Sequence, residues 1–190
     1  MSNTQTMTYA RVGAALEEAG AVAPEKVQQV LAEYAHWAQD SLRPYEVACA
    51  LESFGIALSI HADDIDYLEP GYTYLLERAA ELIGGAVTVT KVRLVEGDRS
   101  PDGTSRDDTL EFERNGIAVA VPAEHYSDEY YDHLAATEAI DALNPGGDDP
   151  RTFRYVDFPR EKHGVYDTIV ALVTPQQATA LEKALGLVLR

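Results

Sequence analysis

The sequence predicts an α+β fold, with a helical N-terminal segment followed by a mostly antiparallel five-stranded sheet that has helices packed on one face. Apolar residues recur at helical spacing in the first sixty residues, whereas β-branched runs dominate later. From residue 72 the predicted order is α-β-β-β-α-β-β-α, and consecutive strands joined by short turns favour antiparallel pairing. We therefore expect a helical segment over residues 1–62 and an α+β domain over 70–190, or one compact unit that includes both.

Three apolar patterns predict helices in the first sixty residues. Gly20 ends the first helix, Pro24 begins the second, and Pro44 lies in the first turn of the third. The residues that form these apolar patterns are Tyr9, Val12, Leu16, Ala19, Val27, Val30, Leu31, Tyr34, Trp37, Val47, Leu51 and Phe54. Residues 56–60 fit either more helix or a short strand, and periodicity does not choose between the two.

An acidic connector and a strand with an irregularity are predicted next. Residues 61–71 are rich in carboxylates and precede a helix over 72–82, which a glycine pair ends. Residues 86–95 are β-branched, but the apolar parity changes within the run. This change of parity predicts a β-bulge near Thr90 and Lys91.

Residues 110–121 carry the clearest local signal, a β-hairpin. Asn115 and Gly116 are the preferred pair for a type I′ turn, because both positions need a positive φ. A turn there places Phe112 opposite Val119, so that one face of the hairpin is apolar and the other is polar or small. Turn chemistry and hydrophobic pattern therefore predict the same register.

The remaining chain alternates between helix and strand signals. A helix is expected from about Ser127 to Leu143, with Ser127 as its N-cap. Strands are expected over 152–158 and 165–173, the second of which is apolar enough to be central. A final helix follows Thr174, which combines an N-cap with a capping box.

The composition disfavours several classes of function. The chain has 190 residues, of which 32 are acidic and 15 basic, so its formal net charge is −17. Binding to nucleic acid or to an anionic membrane depends on Lys and Arg, so we expect neither partner. The single cysteine, Cys49, cannot form an intramolecular disulfide or a thiolate-rich metal site. With no leader-like N-terminus and no phosphate-binding glycine motif, we expect a soluble cytoplasmic protein without a cofactor.

Two short stretches supply most of the net charge. Residues 61–85 contain 6 acids and 1 base, and residues 124–151 contain 8 acids and 1 base. Both stretches carry tyrosines, which are enriched in the cores of protein interfaces. We interpret them as an acidic, tyrosine-bearing face that binds a basic protein, while the competing interpretation is a solvated surface. The predicted face consists of Asp63, Asp64, Asp66, Tyr67, Tyr72, Asp128, Glu129, Tyr130 and Asp132.

This interpretation makes the protein a non-catalytic interaction module. Small acidic α+β proteins that inhibit basic toxins, as immunity proteins do, are similar to it in composition. The alternative is an enzyme or a small-ligand binder with a metal held by His125, Glu129 and His133, if all three lie on one face of a helix that begins early. A homodimer through the N-terminal helices, with Tyr34 and Trp37 at the seam, is a further expectation.

Overall fold

The computed structural model describes residues 6–190, and over these residues the chain forms six helices and seven strands. The helices are α1 Tyr9–Glu18, α2 Pro24–Glu33, α3 Pro44–Ser53, α4 Leu68–Ile83, α5 His133–Asp141 and α6 Pro175–Leu185. The strands are β1 Ala57–Ile60, β2 Val89–Val95, β3 Arg106–Arg114, β4 Ile117–His125, β5 Thr152–Asp157, β6 Thr168–Val173 and β7 Val188–Leu189. This content confirms the predicted α+β class.

The chain divides into two compact units. Of the described residues, unit 1 combines 6–59, Pro150–Gly164 and Ile169–Arg190, and unit 2 combines Ile60–Asp149 with Val165–Thr168. This division differs from the predicted boundary between residues 62 and 70, because the last strands cluster with the N-terminal helices. Two sheets therefore replace the single five-stranded sheet that the sequence predicted.

Unit 1 is built on a four-stranded sheet in the order β1-β6-β5-β7. Residues 56–60, which the sequence left open between helix and strand, lie largely in strand β1, and the amide of Leu172 in β6 donates to the carbonyl of Ile56 at 2.8 Å. Strand β6 has neighbours on both sides and is almost wholly buried, as its apolar sequence predicted. The capping box of Thr174 and Gln177 at the start of α6 is confirmed.

Unit 2 contains the three-stranded sheet β2-β3-β4 together with α4 and α5. The predicted hairpin is confirmed, with Phe112 opposite Val119 and with Asn115 and Gly116 at positive φ. The predicted bulge in β2 is also confirmed, since the register with β3 shifts between Thr90 and Arg93. The inner face of the hairpin is buried, and it carries the charged network described below.

The predicted helix from Ser127 to Leu143 is wrong at its start. Helix α5 begins only at His133, and its N-cap is Asp132, whose Oδ1 accepts the amides of Leu134 and Ala135. The segment before Asp132 is a loop rather than a first helical turn. As a result, His125 lies at the end of β4 and not on the helix.

Candidate functional site

The two acidic stretches, far apart in the sequence, come together on unit 2. The amide of Ile65 donates to the carbonyl of Glu129 at 2.7 Å, so the connector before α4 lies against the loop before α5. A cleft of about 640 Å³ opens at this junction. It is lined by Asp66, Tyr67, Leu68, Glu69, Pro70, Leu94, Glu96, Asp128 and Glu129. We call this feature the acidic cleft, since five of its nine lining residues are carboxylates.

Most of the residues predicted for the binding face are exposed. The exposed members are Asp63, Asp64, Asp66, Tyr67, Asp128, Glu129 and Tyr130. Tyr67 has 73% of its surface accessible and Tyr130 has 48%, so both rings are available at the surface. We call these seven residues the acidic face.

Two predicted members of the face have other roles. Tyr72 is only 1% exposed, and it lies inside helix α4, which begins at Leu68 and not at residue 72 as predicted. Asp132 is half-buried, since its Oδ1 caps α5 and its Oδ2 accepts the amide of Glu124 at 2.9 Å. The structure therefore corrects the sequence interpretation by removing Tyr72 and Asp132 from the exposed face.

Arg106 links the acidic face to the interior of unit 2. Its guanidinium donates to the Oδ1 of Asp108 at 2.6 Å and to the Oδ1 of Asp128 at 2.9 Å. The hydrogen bond to Asp108 is the main reason why the pKa of Arg106 is raised. Asp128 belongs to the loop that carries Glu129 and Tyr130, so this ion pair holds the exposed loop onto strand β3.

Behind Arg106 runs a buried chain of hydrogen bonds. The Oδ2 of Asp108 lies 2.9 Å from the Nδ1 of His125, and the Nε2 of His125 lies 2.8 Å from the hydroxyl of Tyr72. The amide of Asp132 donates to that hydroxyl at 3.1 Å. Because the Tyr72 hydroxyl accepts this bond, its own proton can be donated to Nε2 of His125. The Nδ1–H of the same imidazole then donates to Asp108, so every group in the chain has a partner.

Burial and hydrogen bonding act in opposite directions on this network. Burial would raise the pKa of the Asp108 carboxyl, but the hydrogen bonds from Arg106, Gly97 and His125 outweigh it and lower the pKa below its usual range. Burial raises the pKa of the Tyr72 hydroxyl. Because both nitrogens of His125 are engaged inside the protein, the network can position the acidic loop but offers no free nitrogen for a ligand.

Sequence reasoning missed Asp108 and Arg106. The signal was present in the hairpin, because continuing its register past Leu110 places Asp108 opposite Ala123 on the apolar, inward face. A carboxylate at an inward position requires partners, since a buried charge is costly without them. Only the fold identifies those partners as Arg106 and His125.

The structure does not bring the predicted metal ligands together. His133, the first residue of α5, lies 2.7 Å through its Nδ1 from the hydroxyl of Thr168, and 3.2 Å through its Nε2 from the carbonyl of His61. His125 is committed to the buried chain, and Glu129 is in the loop. Over residues 6–190, no group of three or more His, Cys, Asp or Glu side chains is arranged to hold a metal ion.

The N-terminal helices carry the residues predicted for a dimer seam. Trp37 is 60% exposed and follows the end of α2, so it lies outside the helix to which its apolar pattern assigned it. The ring of Tyr34 is half-buried and stacks on Tyr9 with 4.8 Å between the ring centres. Cys49 lies partly exposed on α3 and forms no disulfide.

Comparison with family models, curated proteins and solved structures finds no match for this chain. Across residues 6–190, no helix is both long enough and apolar enough to cross a bilayer.

Proposed function

We propose that this protein is a non-catalytic interaction module that binds a basic protein through its acidic face. The observation that carries this proposal is the junction of two acidic stretches at one cleft, fixed by the bond from the Ile65 amide to the Glu129 carbonyl. Solubility alone requires only that charge be spread over the surface. Charge concentrated around a concave site raises the local concentration of cations and speeds their association.

Some carboxylates of the acidic cleft are bonded within the protein, and others are not. The carboxylate of Glu69 accepts a hydrogen bond from the amide of Leu94 at 2.8 Å, and Asp128 is paired with Arg106. These two carboxylates therefore hold the lining of the cleft in place. Asp66 and Glu129 are exposed and form no ion pair in the described part of the chain. They are the carboxylates to which a lysine or arginine of the partner would bind with the least competition.

The exposed tyrosines support a protein as the partner. Tyr67 lines the acidic cleft and Tyr130 follows Glu129 in the same loop. Tyrosine covers a large contact area with few rotatable bonds, and its ring also attracts a guanidinium. The proposed partner therefore presents arginine or lysine together with apolar side chains, as a basic toxin or enzyme bound by an inhibitor or immunity-like module would.

This function is proposed for the cytoplasm. With a single cysteine the chain cannot form an intramolecular disulfide, and proteins of a reducing compartment usually lack disulfides. A basic protein made in the same compartment would meet the acidic face directly.

The test is a titration with an arginine octapeptide, followed by NMR shifts and calorimetry. We expect the largest shifts around the acidic cleft and an affinity that falls as salt rises. The double variant Asp66→Lys, Glu129→Lys should weaken binding by roughly tenfold or more, which corresponds to about 1.4 kcal/mol. Neither side chain caps a helix or forms a hydrogen bond in the described residues, so the fold should remain intact.

The matched control is Glu17→Lys, Glu18→Lys, which changes the net charge by the same amount on α1 of unit 1. Equal losses in the two double variants would show that only total charge matters, and would contradict a localised binding face. The same conclusion follows if the octapeptide binds with no preference for unit 2. An affinity that is indifferent to salt would contradict the electrostatic basis of the proposal.

A further inference from the structure

Strand β4 forms one edge of the three-stranded sheet in unit 2. The strand order is β2-β3-β4, and within residues 6–190 no strand pairs with the outer side of β4. The first five residues of the strand, 117–121, contain only isoleucine, alanine and valine. We call them the open edge.

The register of the hairpin determines which backbone groups of the open edge face outward. In a two-residue hairpin, the pair that flanks the turn exchanges both hydrogen bonds, and bonded and non-bonded pairs then alternate. Arg114 and Ile117 flank the turn, so Ala118 and Ala120 belong to non-bonded pairs. Their N–H and C=O groups therefore point away from β3.

Two residues farther along β4 agree with this assignment. Pro122, which has no N–H, occupies the next outward position, and the outward amide of Glu124 donates to Asp132 at 2.9 Å. Asp107 of β3 is paired with Glu124, so the same alternation predicts that its amide points away from β4. That amide donates to the carbonyl of Asp98 at 2.9 Å. The second half of β4 is thus protected by a proline and a capping carboxylate, whereas the open edge has no such protection.

Exposed edges in soluble proteins usually carry charges, prolines or bulges that prevent pairing with another strand. The open edge has none of these over five residues, in a chain whose net charge is −17. Ala118 and Ala120 are exposed and small, so another backbone can approach. Ile117 is 68% exposed and would be covered by a strand placed beside it.

The spacing of the outward N–H and C=O groups along β4 suits pairing with a second copy of the same strand. If a second β4 runs antiparallel about a twofold axis at Val119, Ala118 of one copy faces Ala120 of the other, and both residues present outward groups. Ile117 then faces Val121, so no charged side chains of the two open edges are opposed. An isologous contact requires a surface that is complementary to itself, and this edge meets that condition.

We propose that two copies of this protein pair through the open edge of β4, which joins their three-stranded sheets into one continuous sheet. Each Ala118–Ala120 pair exchanges two backbone hydrogen bonds, so the seam contains about four. The Val119 side chains meet across the axis, and Ile117 of each copy packs beside Val121 of the other. This contact lies apart from the acidic face and does not depend on the proposed function.

The test is sedimentation velocity of the full chain from micromolar to millimolar concentration, at low and high salt. We expect a dimer whose formation increases with salt, because both copies are strongly acidic and salt screens their repulsion. This dependence on salt is opposite to that expected for the basic partner, so the two proposals can fail separately. Amide hydrogen exchange at Ala118 and Ala120 should slow as the concentration of protein rises.

Two variants are designed to weaken the pairing of the two β4 strands by different means. Ala120→Pro removes an outward N–H for which residues 6–190 supply no partner, and Ala118→Glu places a charge on the edge. Each should raise the dissociation constant of the dimer about tenfold or more, from the loss of two interchain hydrogen bonds or from repulsion between like charges. Ala86→Glu, an exposed alanine outside the hairpin, is the control for charge and should leave the dimer unchanged.

A wild-type protein that stays monomeric up to millimolar concentration in high salt would overturn the proposal. So would a dimer that persists in both edge variants. A third variant, Trp37→Ser, tests the N-terminal helices: if it alone dissociates the dimer, the seam lies there and the open edge is not the interface. Loss of the dimer in both edge variants, with Ala86→Glu and Trp37→Ser unaffected, supports pairing through β4.

Discussion

Replacement of Asp108 by alanine tests whether the buried network holds unit 2 together. The carboxylate is inaccessible, and it accepts hydrogen bonds from Arg106 at 2.6 and 2.9 Å, from His125 at 2.9 Å and from the amide of Gly97 at 3.0 Å. Removing one partner of a buried ion pair costs about 3–5 kcal/mol, because the other charge is left uncompensated. Asp128 still neutralises part of the Arg106 charge, so we expect the lower half of that range.

The assay is urea unfolding followed by far-UV circular dichroism, together with amide hydrogen exchange of the hairpin. The free energy of unfolding of unit 2 should fall by about 3 kcal/mol, and exchange at Leu110 and Val121 should accelerate to match. The control is Asp107→Ala on the adjacent, exposed position of β3, which should change stability by no more than about 0.5 kcal/mol.

The effect also has a defined dependence on pH. Because the folded state lowers the pKa of Asp108 below its unfolded value, the carboxylate stabilises the fold fully above the unfolded pKa of about 3.9. That contribution is lost as the pH falls through the lower, folded value. The difference in stability between wild type and Asp108→Ala should therefore be largest near neutrality and shrink below about pH 4.

A loss of less than about 1 kcal/mol for Asp108→Ala at neutral pH would refute this reasoning, since it would mean that Arg106 and His125 are stable without their shared acceptor. A difference that grows on acidification would refute the assigned direction of the pKa shift.

Two further predictions concern local geometry. Gly97→Ala should destabilise unit 2 by at least about 2 kcal/mol, because a Cβ there would lie 1.6 Å from the carbonyl oxygen of Asp107; a melting temperature equal to that of wild type would contradict this. Thr174→Ala should cost unit 1 about 1 kcal/mol in urea unfolding by removing the cap on the Gln177 amide, and Thr174→Ser should restore most of it; equal stability of the two variants would show that the cap contributes nothing.

The features predicted correctly from the sequence are those decided by near neighbours in the chain. The turn at Asn115 and Gly116 sets the register of β3 and β4, because only residues that accept a positive φ permit a two-residue loop there. The bulge near Lys91 was visible as a change of parity, and the start of α6 as a cap at Thr174. In each case the sequence signal is carried by residues that are close together in the chain.

Other features depend on partners that are distant in the chain. Ser127 and Asp132 are both good N-caps, and Asp132 begins α5 while its second carboxylate oxygen also accepts the amide of Glu124 in β4. Tyr72 lies in a polar stretch of the sequence, but its ring is buried in the core, where its hydroxyl forms a hydrogen bond with His125 at the end of β4. Local pattern cannot choose between equal candidates when a distant partner supplies the difference in free energy.

By itself, the sequence determined the α+β class, the hairpin and the concentration of negative charge in two stretches. Only the tertiary structure decided that the strands form two sheets, that Asp108 is the buried acceptor for Arg106, and that the stretches around Ile65 and Glu129 meet at one cleft. The physical reason is the range of the interactions. Torsional preferences and side-chain periodicity act over a few residues, whereas strand pairing and buried charge are settled by groups that become neighbours only when the chain has folded.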